Sequence, residues 1–159
     1  MTQYAPKPPP CAGCPAFEAG RSYVPGTGNP NATVALIGQG PGREEAEGHW
    51  DIPTQSQKRE PFIGRAGALL DDWMHEAGWP SDWRSRVWID NVVRCWLVRG
   101  KKDREPLAKE IAHCTAAYPK IPESVRLVVA IGTPASNHVL GWKAGTRYAG
   151  ALVRLDGTP

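Results

Sequence analysis

Apolar positions along the chain fall into short runs and helical stripes that alternate. Thr33-Val-Ala-Leu-Ile37 is apolar, rich in β-branched residues and closed by glycines, and it predicts a buried strand. From Gly67 the period changes: Ala68, Leu69, Leu70, Trp73, Met74 and Ala77 recur at helical spacing until Gly78 and Pro80 stop them. Val87 to Val93 predicts a second strand. Leu107, Ile111, Cys114 and Tyr118 mark one face of a helix. Val125 to Ile131 predicts a third buried strand. Gly132-Thr133-Pro134 then suits a helix start, with Thr133 as N-cap and Pro134 at the first position. Residues 147–155 add a short strand or hairpin. Arg43 to Glu47 is a charged stub that opens a helix. Residues 1–10 are proline-rich and extended, and 49–61 and 94–104 read as loops, the second of them basic.

Strand, helix, strand, helix, strand, helix is the order of an α/β protein. It predicts a three-layer α/β/α sandwich with a short, mainly parallel sheet, as one domain over 1–159. Such sheets bind ligands beyond the carboxyl ends of their strands. Three segments occupy those ends: Gly38 to Gly42, Asn91 to Arg94, and Gly132 to Ala135.

Composition narrows the class. The chain has 159 residues, enough to bury a core without disulfide staples. Its 17 glycines and 16 prolines make loops plentiful and argue against a coiled coil or an all-helical bundle. No apolar run approaches the ~20 residues of a membrane span. The first ten residues, MTQYAPKPPP, lack the apolar core of a secretory signal, so an intracellular, cytoplasmic protein is expected. A net charge of +3 does not demand a nucleic-acid partner, but clustered basic residues would permit one.

Candidate chemistry sits at the strand ends. Gly38-Gln39-Gly40-Pro41-Gly42 lets backbone N–H groups approach a ligand, although a plain tight turn needs the same residues. The sequence is neither a dinucleotide fingerprint nor a Walker loop. Cys11 and Cys14 have C-x2-C spacing, and Cys95 and Cys114 make up four thiols. In an intracellular chain they suit zinc or an iron–sulfur cluster, and the spacing does not choose; Cys95 and Cys114 are also ordinary core residues. Arg94, Arg99, Lys101, Lys102 and Arg104 form a basic stretch fit for phosphates or for plain solvation. Phe62, in Pro61-Phe62-Ile63-Gly64-Arg65-Ala66-Gly67, is placed to stack on a base or to anchor a loop. Asn91 presents a donor and an acceptor together, as does any turn-forming Asn.

Taken in order, C-x2-C, G-Q-G-P-G-x-E-E, P-F-I-G-R-A-G-x-L-L, D-N-V-V-R-C, a later Cys and V-V-A-I-G-x-P-A resemble the iron–sulfur uracil-DNA glycosylases of family 4, from Cys11 to about Leu140. The resemblance implies the uracil-DNA glycosylase sandwich and excision of uracil from DNA to leave an abasic site. Cys11, Cys14, Cys95 and Cys114 would hold a structural [4Fe–4S] cluster, with zinc as the alternative. Gln39 and Gly40 would line the uracil pocket, and Glu45 matches an acidic residue of the first motif. Phe62 would stack on the flipped base and Asn91 would read it. Arg65, Arg99, Lys101 and Lys102 would contact DNA. The expected species is a monomer with uracil-containing DNA as partner and no membrane association. The chain departs from the family in three ways. Gln39 stands where the family usually has Glu. His49 to Glu60 is inserted. The later His-Pro-Ser segment has no match up to Pro159, so the last strand is expected to be missing. That last departure motivates the alternative of a non-catalytic DNA- or uracil-binding module with the same fold.

Overall fold

The computed structural model of the protein describes residues 6–17, 20–54, 56–100, 102–118 and 121–141. In chain order its strands are β1 (Gly20–Arg21), β2 (Thr27–Gly28), β3 (Val34–Gly38), β4 (His49–Asp51), β5 (Ser56–Lys58), β6 (Trp88–Asn91), β7 (Trp96–Arg99), β8 (Lys102–Asp103) and β9 (Leu127–Ala130). Its α-helices are α1 (Arg43–Glu47), α2 (Arg65–Glu76), α3 (Ala108–Ala117) and α4 (Thr133–Leu140). The expected strand at 147–155 lies outside the described residues.

The central sheet has the order β2-β6-β3-β9. β3 is parallel to both neighbours, with Ile37 beside Asp90 and Ala130, while β2 is an antiparallel edge. Period-two alternation sends successive side chains of β3 to opposite faces. Leu36 and Ile89 pack with Leu70 of α2, Trp83 and Val87 on one face. Ala35 and Ile37 pack with Val92 and with Ala135 of α4 on the other, where Ile111 of α3 joins them. Helices therefore cover both faces of a mainly parallel sheet, as the sequence order predicts, and the membership of the two clusters shows the three layers directly.

Local differences from the sequence pattern have physical causes. On α2 the apolar stripe is wider than the buried face. Leu70 and Met74 turn inward, four residues apart, while Leu69 and Trp73 stay 47% and 53% exposed. On α3 the inward row begins at Ile111, because Leu107 is the N-cap and is exposed. Gly132, not Thr133, caps α4. β9 is not the buried strand expected: it ends the described sheet, with one neighbour only, and Leu127 and Val129 stay 43% and 40% exposed. The polar stretch 49–61 is not a plain loop: β4 and β5 form a hairpin held by main-chain pairing and a Lys58–Asp51 ion pair. The basic stretch 94–104 is likewise a hairpin. β7 pairs with β8 and, on its other side, with β1, a partner 75 residues away in sequence that local pattern cannot reveal.

Arg104 and Glu110 clasp this second hairpin to α3. The guanidinium donates to both carboxylate oxygens, at 2.8 and 2.6 Å, and the Leu107 N–H caps the helix on the same carboxylate at 2.8 Å. Arg104 holds the Glu110 carboxyl below its ordinary 4.5, against the opposing effect of burial. A depressed carboxyl contributes stability above its unfolded value and loses it as pH falls through the folded one. Glu110→Gln should therefore cost about 1.5–3 kcal/mol at neutral pH. In urea titrations the gap to the wild type should close as pH drops below 4.5. A gap of equal size at every pH would show that the clasp is not ionic.

Candidate active site and cysteine cavity

The carboxyl ends of β3 and β6 meet at Gly38 and Asn91, which are paired in register. A Cβ placed on Gly38 would collide with the Asn91 Oδ1 and lie 2.5 Å from Phe62 Cζ. The missing side chain is thus what lets the tip of an aromatic ring and a side-chain amide close on one point. Asn91 is 3% exposed; among the described residues no hydrogen bond engages its side-chain amide and no fully buried polar side-chain atom lacks a partner, so the amide edge keeps some access to solvent. Phe62 is part-buried and has φ +59°, a left-handed backbone unusual for a bulky residue. Its surroundings over-determine that conformation. Arg84 Nη2 donates to the Phe62 carbonyl at 2.7 Å, and a Cβ on Gly67 would overlap the same backbone. The glycine that ends the P-F-I-G-R-A-G segment exists so that α2 can start against Phe62.

The loop from Gly38 to Gly42 is pinned along the chain that follows β6. Val92 N–H donates to the Gly38 carbonyl at 2.9 Å and Val93 N–H to that of Gln39 at 3.3 Å. A Cβ on Gly40 would sit 2.8 Å from Val93 Cγ2, which leaves no room for an acidic side chain there without displacing Val93. Buried Glu45 spans two segments: its Oε2 accepts from Gly42 N–H at 2.9 Å and its Oε1 from Gly64 N–H at 3.4 Å. It ties the glycine loop to the start of α2.

Beneath Asn91 lies a polar group that sequence reasoning missed. Asp90 has no solvent exposure. Its Oδ1 accepts from the Asn91 N–H at 2.7 Å and from Arg94 Nε at 3.1 Å, and its Oδ2 from Arg94 Nη2 at 2.5 Å. Arg94 Nη1 donates to the Tyr23 hydroxyl at 3.0 Å, and the guanidinium stands 5.0 Å from the centre of the Tyr118 ring. Cys11, Cys14, Cys95 and Cys114 line one cavity with these same residues, Arg94 and Tyr118. The Tyr118 hydroxyl and Cys11 Sγ are 3.4 Å apart. Burial, then the neighbouring Cys11, pushes the Cys95 thiol up to about 12, with Cys114 and Cys14 adding to it and Lys7 opposing. Burial likewise raises the Cys14 thiol, with Cys114 and Cys11 contributing. The four sulfurs therefore feel one another. Among the described residues, however, no three His, Cys, Asp or Glu side chains converge tightly enough to hold a single metal ion.

The model of one protein family, the Uracil DNA glycosylase superfamily, matches residues 25–155. The chain belongs to that superfamily. Among curated proteins it is similar to the type-4 uracil-DNA glycosylase of Archaeoglobus fulgidus, with 31% identity over 131 residues, 81% of this chain and 58% of the relative. The type-4 enzyme of Thermotoga maritima is 35% identical over 104 residues, 65% of this chain and 46% of the relative. That of Saccharolobus solfataricus is 30% identical over 131 residues, 81% of this chain and 54% of the relative. The chain spans about half the length of the curated relatives it matches.

In this member of the uracil DNA glycosylase superfamily, Phe62 and Asn91 come together on Gly38, whereas Gln39 and Gly40 follow in the loop pinned to Val93, and Glu45 ties that loop to Gly64. The basic residues do not behave as a group. Arg65, Arg99 and Lys102 are exposed, whereas Arg94 is consumed by Asp90 and Arg104 by Glu110. Lys101 lies outside the described residues. No helix among the described residues is long and apolar enough to cross a membrane. The signal for Asp90 and Arg94 was present in D-N-V-V-R-C, where an acid and a base stand four residues apart, but a strand end gives no rule for pairing them. Gly67→Ala should force Phe62 and α2 apart and cost about 1–3 kcal/mol. Exposed Ala68→Ser, one position on, should stay within about 0.5 kcal/mol of the wild type. Urea midpoints check both, and an unaffected Gly67→Ala would refute the close packing.

Proposed function

We propose that this protein excises uracil from DNA by hydrolysing the N-glycosidic bond, leaving an abasic site. The observation that carries the reading is the closure of Phe62 and Asn91 on Gly38. An aromatic ring and a side-chain amide that offers a donor and an acceptor stand together at the end of the sheet where such folds take ligands. A base in a duplex must leave the stack before its bond to the sugar can be reached. Stacking on Phe62 would hold the flipped ring. The Asn91 amide would pair with the uracil edge, and the exocyclic amine of cytosine would place a donor where an acceptor is required. As the bond breaks, negative charge collects on the departing ring. Pro41 has no N–H, and Gly42 gives its own to Glu45. The backbone donors that stabilise the anion are therefore those of Gln39 and Gly40. Glu45 serves by fixing this loop. Water then adds to the sugar, with Gly40 offering no side-chain base. Arg65, Arg99 and Lys102 supply exposed cations for phosphates.

The cysteine set fits a [4Fe–4S] cluster better than zinc. A tetrahedral zinc site needs sulfurs about 3.8 Å apart at the ~2.3 Å Zn–S distance. Here four thiols surround a cavity without closing on a point. A cubane cluster takes four thiolates spread around its volume. When bound, it would cross-link the N-terminal segment, the start of β7 and α3, a structural role with no part in bond cleavage.

The test is uracil release from single-stranded and duplex oligonucleotides by cluster-loaded protein. Asn91→Asp should slow release by about 100-fold or more, the size of a lost oxyanion-type donor. Phe62→Ala should weaken the step by about 1–3 kcal/mol through lost stacking. Binding of uracil-containing DNA without any release would establish a non-catalytic module instead. Full activity in Asn91→Asp would remove Asn91 from the site.

A further inference from the structure

Arg94 makes more contacts than charge balance requires. A lysine could neutralise Asp90. Only a guanidinium can hold both oxygens of one carboxylate with Nε and Nη2, reach the Tyr23 hydroxyl with Nη1 and stand over the Tyr118 ring. Each of those contacts leads somewhere. Asp90 Oδ1 also takes the Asn91 N–H. Tyr118 reaches Cys11, its ring centre lies 5.4 Å from that of Tyr23, and Cys95 is the next residue in the chain. The group has little room to shift. Val24 N–H donates to the Arg94 carbonyl at 2.8 Å, and a Cβ on Gly26 would lie 2.9 Å from Asp90 Cγ.

We propose that the Asp90–Arg94 pair is a positioning element joining the cysteine cavity to the base-reading amide. Arg94 fixes the Asp90 carboxylate, and Asp90 fixes the Asn91 backbone at the mouth of the pocket. Tyr23 and Tyr118 hold the same guanidinium against the wall that carries Cys11. The structural cysteines and the specificity residue are thereby one mechanical unit. A displaced Arg94 would loosen Asn91 without any change in the pocket's own residues. This deepens the proposed function, because it rests on Asn91 reading uracil.

The experiment is a double-mutant cycle on cluster-loaded protein with Arg94→Lys, Asn91→Ala and the two combined. It is read by single-turnover uracil release from a single-stranded oligonucleotide and by hydrogen exchange of the residue 91 backbone amide. Arg94→Lys should keep its iron content, slow release about tenfold to a hundredfold and speed exchange at residue 91. In the Asn91→Ala background the same change should slow release no further, because its effect passes through Asn91. Wild-type rate and exchange in Arg94→Lys, or equal slowing in both backgrounds, would overturn the proposal. If Arg94→Lys fails to fold or loses iron, Tyr23→Phe removes a single hydroxyl from the unit. It should slow release by a few-fold in the native background alone, and equal rates would count against the proposal. An unchanged rate in Asn91→Ala, or a wild type that releases no uracil, strikes the uracil reading itself. A slowed Asn91→Ala beside an unaffected Arg94→Lys strikes only the coupling.

Discussion

A carboxylate with no access to water sits at the carboxyl end of β6, and most of the site follows from the need to pair it. An isolated buried charge is expensive, and removing one partner of such a pair typically costs about 3–5 kcal/mol, a large share of a domain's total stability. The partner is Arg94, four residues on and already past the end of the strand. For its guanidinium to come back to Asp90, the chain between them must turn over the strand end. That turn brings Val92 and Val93 N–H groups to the Gly38 and Gln39 carbonyls and sends Cys95 towards the other cysteines. One ion pair therefore sets the path of the chain between the pocket and the cavity.

Around that pair, close approach is made possible by missing side chains. Gly38 admits Phe62 and Asn91, Gly67 admits the Phe62 backbone, and Gly26 admits Asp90. The left-handed backbone at Phe62 is held by Arg84, which is itself fixed by Asp71 at 3.1 Å. Trp83 donates its indole N–H to the same carboxylate at 3.0 Å. Strain at Phe62 is thus balanced by the core on the α2 face of the sheet.

Much of this was legible in the amino-acid sequence, and the boundary is physical. The runs at 33–37, 87–93 and 125–131 were recognisable because sheet strands concentrate β-branched and other apolar residues between turns, although in the last of them Leu127 and Val129 stay exposed. The cysteine spacing and the glycine-rich strand end were visible for similar reasons, since a thiol or a glycine is chosen for local chemistry. What stayed hidden depends on distant partners. The β1–β7 pairing joins Gly20 to Leu97, and the polar insertion at His49 forms a hairpin through main-chain bonds that its side chains do not announce. Arg94 and Arg104 looked like members of a solvent-facing basic stretch. Each instead meets an acid, and only the folded chain shows that Asp90 and Glu110 take them out of that group.

The Phe62 ring and the Asn91 amide share one point at Gly38, with Asp90 and Arg94 paired beside it. A crystal structure of the cluster-loaded protein bound to single-stranded DNA carrying a non-hydrolysable uracil nucleotide tests it directly. The expected result is the base against Phe62, its edge paired with the Asn91 side chain, and the Asp90–Arg94 pair intact beneath. A uracil bound elsewhere, or one in this pocket that Asn91 does not touch, would contradict it.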